Sequence, residues 1–193
     1  MTGRTIRKSL PGLVLALAAA VPLGSQAADV APVFKLGLDF GGDKVATAVF
    51  TSGKTESLKA NELFYLGGGV SIISDSREIE TEVTISYKFD SINASNGEIK
   101  FDRLPIEALV FYRFPKYRLG GGLTYHMNPK VSGSGAASNV NVNFDDALGL
   151  VLQADYLITP KVSVGGRFTS LKYKVGGASA DSSGVGVTFG MRF

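Results

Sequence analysis

Apolar and polar positions alternate through most of the chain, and the alternation is strictest near its end. In Ser183–Phe193, Val185, Val187, Phe189, Met191 and Phe193 take every odd position, while Gly184, Gly186, Thr188, Gly190 and Arg192 take the even ones. A period of two belongs to a β-strand with one apolar face. The same split recurs in seven upstream segments: Phe34–Gly41, Phe64–Ile72, Ile79–Asp90, Arg103–Phe114, Tyr117–Asn128, Ala147–Ile158 and Val162–Val175. In the last of these the apolar phase changes between Phe168 and Leu171, which predicts a bulge near Thr169 and Ser170. The pattern predicts an all-β fold of eight antiparallel strands and nothing else.

Which face meets water decides the architecture. A soluble sandwich would bury the apolar face and wet the polar one. Here the polar face is crowded with glycine, and the apolar face carries aromatics near strand ends, among them Phe40, Phe64, Phe89, Tyr112, Phe114, Tyr117, Tyr125, Tyr156 and Phe193. That distribution is the one an up-and-down transmembrane β-barrel shows at its two interfaces. Residues 28–193 allow about 21 residues per strand and connection, against the about 9–11 needed to cross a bilayer. An even number of strands also closes without a lipid-exposed edge.

The connections alternate in length. Ser74–Arg77, Pro115–Lys116 and Thr159–Lys161 are tight, whereas Asp43–Asn61, Ser91–Gly97, Pro129–Ala137 and Gly176–Ser182 read as long polar loops. Short turns then face the periplasm with both termini, and the long loops face outward. Asn139, Asn141, Asn143 and Asp145, interleaved with Val140, Val142 and Phe144, continue the sixth strand's phase and predict that it projects beyond the membrane.

Charge changes the picture once the start of the chain is set apart. Residues 1–27 carry Arg4, Arg7 and Lys8 and no acid, then an apolar run from Leu10 to Leu23, then small residues at Ser25 and Ala27. This is the layout of a secretory signal peptide cleaved before Ala28, leaving 28–193 as the barrel domain. The chain has 20 Lys+Arg and 17 Asp+Glu, so without those three the two signs balance at 17 each. A balanced domain has no electrostatic footprint for nucleic acid. Zero cysteine excludes disulfides and thiol chemistry, and the single His126 excludes any site needing two imidazoles.

The leader, the eight alternating segments and a last strand ending in Phe193 together resemble the small outer-membrane barrels of the OmpA/OmpX type. The resemblance implies a protein of the Gram-negative outer membrane, surrounded by its lipid and lipopolysaccharide and expected as a monomer. Phe189, Met191 and Phe193 look like that family's assembly signal, read by the barrel-assembly machinery. The resemblance fixes architecture and location; activity does not follow from it.

The same alternation sends Lys35, Asp39, Glu80, Glu82, Lys88, Asp90, Arg103, Glu107, Arg113, Arg118, Asp155, Arg167 and Arg192 inward. Eight strands leave an interior just wide enough for side chains, so these predict a mixed-charge network plugging the lumen rather than a pore. Ser52-Gly53-Lys54-Thr55 lacks the upstream glycine of a phosphate-binding loop, because Ala48 stands there. The Gly67–Gly69 and Gly120–Gly122 runs relieve crowding between strands. His126 also faces inward, but Asn128 stands where a lipid A deacylase would carry serine, so a hydrogen-bonded structural role is expected. The sequence therefore points to a non-enzymatic barrel, without cofactor or metal, acting in envelope structure or through its outer loops. A lipid A modifying enzyme and a narrow channel for small or apolar solutes are the alternatives.

Overall fold

The computed structural model describes residues 28–49 and 53–193, so the leader expected over residues 1–27 lies outside the described residues. The strands are β1 (Asp29–Gly41), β2 (Lys44–Val49), β3 (Thr55–Lys59), β4 (Leu63–Ile73), β5 (Ile79–Ala94), β6 (Gly97–Arg113), β7 (Tyr117–Gly135), β8 (Asn141–Asn143), β9 (Ala147–Thr159), β10 (Val162–Ser170), β11 (Lys172–Val175), β12 (Ala178–Asp181) and β13 (Gly184–Arg192). Eight of them pair in the order β6-β5-β4-β1-β13-β10-β9-β7, and β7 pairs back onto β6, which closes the barrel. All eight pairings are antiparallel.

Register sets the width. Paired residues trace a path from Asp39 through Gly186, Arg167, Gln153, Gly120, Phe111, Glu80 and Ile73 back to β1 at Asp29, ten residues from the start. With a rise of about 3.3 Å per residue and strands about 4.8 Å apart, that stagger tilts the strands by roughly 40° and gives a backbone radius of roughly 8 Å. Long inward side chains from opposite walls must meet on the axis of so narrow a barrel. Small inward residues make room for them. A Cβ on Gly186 would stand 1.9 Å from the Asp39 carboxylate, and one on Gly122 would stand 2.0 Å from the Ala108 carbonyl of the neighbouring strand.

The apolar face looks outward. Leu38, Val70, Ile85, Val110, Leu119, Leu150, Val164 and Val187 are all exposed, as a lipid-facing band requires. Aromatic pairs rim it at both ends: Tyr112–Phe114 at 5.0 Å beside the short turns, and Phe64–Phe89 at 5.6 Å on the other side. Leu152, 63 % exposed, sits midway along β9 between Leu148 and Tyr156, whereas Ile158, 56 % exposed, lies below Tyr156 at the short-turn rim. Leu152→Arg is therefore expected to destabilise the barrel by about 2–4 kcal/mol and Ile158→Arg by about 0–1 kcal/mol. Urea titration of the two variants refolded in vesicles checks this; equal losses would contradict the depth assignment.

Several sequence expectations need correction on the long-connection side. The chain is not eight strands alone: β2–β3 and β11–β12 form two further hairpins, and β8 adds to β7. Ser91–Gly97 and Pro129–Ala137 are largely strand, since β5, β6 and β7 run on to Ala94, from Gly97 and to Gly135. The sixth strand does not continue through Asn139–Asp145; β8 and β9 are separate, with Phe144–Asp146 between them.

No bulge stands at Thr169 and Ser170. β10 keeps its register to Ser170, and the alternation of buried Thr169, Leu171 and Tyr173 with exposed Ser170, Lys172 and Lys174 is unbroken. What changes is polarity: beyond the membrane the inward side becomes the apolar one, as in a water-soluble protein. On β7 the switch does use a bulge. Register slips opposite Asp102/Leu104, Asn128 takes a φ of 49°, and Asn128 turns outward rather than inward, so that His126 and Val131 both face the axis.

Candidate functional site

Inward polar side chains gather in two layers within the lumen. Near the short turns, Arg118 on β7 meets three acids, Asp155 on the adjacent β9 and two on β5: Nη1 lies 2.8 Å from Glu80 and 2.5 Å from Glu82, and Nε lies 2.8 Å from Asp155. Lys35 pairs with Glu82 and Arg113 with Glu80. Ser71 donates to Glu80 at 2.6 Å and the Gln153 amide donates to Asp155 at 2.9 Å. Three cations thus meet three acids, and the free space beside them is only about 20 Å³, room for one water.

A second layer lies above. Arg167 donates twice to Glu107, at 2.5 and 3.2 Å, while Lys88 pairs with Asp39. Arg167 Nε lies 3.9 Å from Asp39. All four side chains are buried. Two inward aromatics hold these layers in place. Phe111 takes Arg118 at 4.3 Å and Lys35 at 5.6 Å from its ring centre, and Tyr65 takes Lys88 at 5.1 Å and Arg167 at 5.3 Å. Both rings fall on the small-polar phase of their strands, and a bulky aromatic on that face is the signal the sequence carries for them.

The remaining inward charges sit differently. Arg103 is in the lumen, yet Nε, Nη1 and Nη2 have no hydrogen-bond partner among the described residues, and its guanidinium lies over Phe101 at 4.8 Å and Tyr173 at 5.4 Å. Arg192 is at the rim rather than in a layer, clasping β13 to β1 through the Asp29 carboxylate and carbonyl, each at 2.8 Å. Asp90 is half-buried at the other end and accepts from the Ser91 amide at 2.8 Å.

Above the charges lies an apolar cap that the sequence reading missed. Leu58, Ala60, Leu63, Ile92, Ile99, Phe101, Val131, Ala147, Leu171 and Tyr173 form one buried cluster, with Val140, Val142 and Phe144 packed against it. Phe101 meets Phe144 at 5.9 Å and Tyr173 at 6.0 Å, and Phe144 meets Tyr173 at 5.7 Å. The cap lies at the long-connection end, where hairpins β2–β3 and β11–β12 bring Leu58 and Tyr173 into it and Val45, Ala46 and Ala48 pack against it. Tyr173 is also the link downward, sharing a 2.5 Å hydrogen bond with His126 Nδ1. His126 is fully buried, and neither serine nor an acid hydrogen-bonds to it among the described residues.

The last strand completes the wall. β13 pairs with β1 on one side and β10 on the other, and the Phe193 amide bonds to the Pro32 carbonyl at 3.1 Å. Met191 and Phe193 face outward, Phe193 being 58 % exposed, and Phe189 is half-buried on the same face.

Residues 13–193 match the family model described as the outer membrane protein beta-barrel domain. No curated protein matches the sequence. Among solved structures, Ail, the attachment invasion locus protein of Yersinia pestis in complex with the heparin analogue sucrose octasulfate, is similar with a TM-score of 0.54 at 9 % identity. That alignment covers 86 % of this chain and 99 % of Ail. Neisserial surface protein A is similar with a TM-score of 0.50 at 11 % identity, over 87 % of this chain and 100 % of its own. At such identities the likeness is one of fold.

Proposed function

The chain belongs to the outer membrane protein beta-barrel family and resides in the outer membrane, and from that premise we propose that it is a non-catalytic barrel with a plugged lumen, acting in envelope structure or surface interaction through its outer hairpins. One observation carries this reading. The space within the wall is taken by paired charges on one level and by an apolar cluster on the next. A solute would have to break several buried ion pairs and then unpack the cap, each step costing several kcal/mol. With the interior committed, the surfaces free to engage a partner are the hairpins beyond the membrane. Ail, of the same fold, was crystallised with a heparin analogue, which makes sulfated polysaccharide a ligand class to try at those hairpins.

Lipid A chemistry is disfavoured by the placement of His126, under the cap and bonded to a tyrosine instead of a serine. Such catalysis needs a base within reach of a nucleophile and open to substrate. In this reading residues 1–27 are the cleaved leader, outer-membrane lipid and lipopolysaccharide surround a monomer, and the β13 face is what the assembly machinery reads.

The orientation is tested with single cysteines on intact cells. Those at Lys54, Asn96 and Ser134 should react with an impermeant maleimide, and those at Asp75, Lys116 and Pro160 should not. Reaction of only the second set would place the hairpins in the periplasm and end the surface reading.

A further inference from the structure

The upper layer does not balance. Lys88, Arg103 and Arg167 bring three positive charges, Asp39 and Glu107 bring two negative ones, and the described residues offer no further buried acid at that level. The lower layer, by contrast, closes three against three. The excess falls on Arg103, which is 1 % exposed with all three guanidinium nitrogens unpartnered. Moving Arg103 onto Asp39 would not help, since it would take that acid from Lys88 and Arg167. A buried cation without a counter-charge is among the most costly features a fold can carry. The Phe101 and Tyr173 rings offset part of that cost, but they also shut out water.

A second donor stands beside it. His126 pairs with Pro105 across the β6–β7 seam, two residues from Arg103 on the same inward face. His126 Nδ1 shares its hydrogen bond with the Tyr173 hydroxyl, and Nε2 is buried without a partner among the described residues; in the tautomer in which Tyr173 donates to Nδ1, the imidazole hydrogen sits on Nε2. In that tautomer the guanidinium and the imidazole present unpartnered donors from two adjacent strands, and an acceptor held by both satisfies them together. We propose that the lumen binds one small inorganic anion of chloride size, held by the Arg103 guanidinium and His126 Nε2 at the junction of the charged layer and the apolar cap. The anion restores neutrality to the upper layer and seats the cap through Tyr173. It is a structural counter-ion enclosed by the fold, not a permeating one. The inference rests on the plugged-lumen reading, which conductance tests separately; loss of the anion site would leave that reading standing.

Bromide is the probe. Crystals of the purified barrel grown in sodium bromide should give an anomalous peak within hydrogen-bonding distance of Arg103 and His126. The thermal unfolding midpoint should be several degrees higher in bromide than in gluconate at equal ionic strength. Arg103→Met removes the cation at similar length, and should abolish both the peak and the difference between salts while keeping the boiled-versus-unboiled gel shift. Should that variant fail to fold, the wild-type peak and the wild-type salt difference decide alone. Bromide found only at the surface, or equal midpoints in the two salts, overturns the proposal.

Discussion

Glu107→Gln is expected to weaken the folded barrel by about 3–5 kcal/mol, the cost of leaving a buried charge without its partner. Glu107 accepts both of the close hydrogen bonds made by Arg167, and both side chains are cut off from solvent. The amide keeps the size of the carboxyl and one acceptor, so packing is preserved and the loss reports the charge together with one of the two hydrogen bonds. The double variant Glu107→Leu with Arg167→Met should recover most of that loss, because apolar residues of similar volume replace a buried pair at little net cost. Urea unfolding of the single and double variants in vesicles measures the cycle. A loss below about 1 kcal/mol for the single change would mean that water screens the pair as it does at a surface.

Removing Phe193 is expected to abolish assembly rather than trim stability. β13 is the closing strand, and until it pairs with β1 its backbone groups and those of β1 are open to lipid, which no strand edge tolerates. Phe193 anchors that strand at the short-turn interface, its amide bonded to Pro32 and its ring outward, where aromatics are favoured. The deletion should leave an exported, unfolded chain that periplasmic proteases remove, and the heat-modifiable gel shift should vanish. Normal outer-membrane levels with an unchanged shift would reduce Phe193 to one more apolar contact.

How much of this was legible depended on where in the barrel a residue sits. Within the membrane the environment alternates with the strand, so period two alone assigned Leu152 outward and Gln153 inward, and the structure agrees. Beyond the membrane both faces of a strand no longer differ in that way. Leu58 and Val131 lie in stretches that read as polar loop, Ile99 lies between two assigned segments and Tyr173 near the end of the seventh strand segment, yet all four converge on one cap. The phase change at Leu171 is the visible trace of that cap, and period two alone reads it as a bulge because it carries no marker for where lipid ends. Pairing among the inward charges was equally hidden. Arg103 and Arg167 look alike in the sequence, and only the register and stagger of the barrel give one an acid and the other none.

The central claim is that a folded barrel of this size, with its lumen filled by ion pairs and capped by apolar side chains, is closed. Planar-bilayer recording of the purified, heat-modifiable protein tests it directly. No stepwise conductance above the bare-membrane baseline is expected, at any voltage the bilayer withstands. Reproducible unitary steps from the same preparation would contradict it.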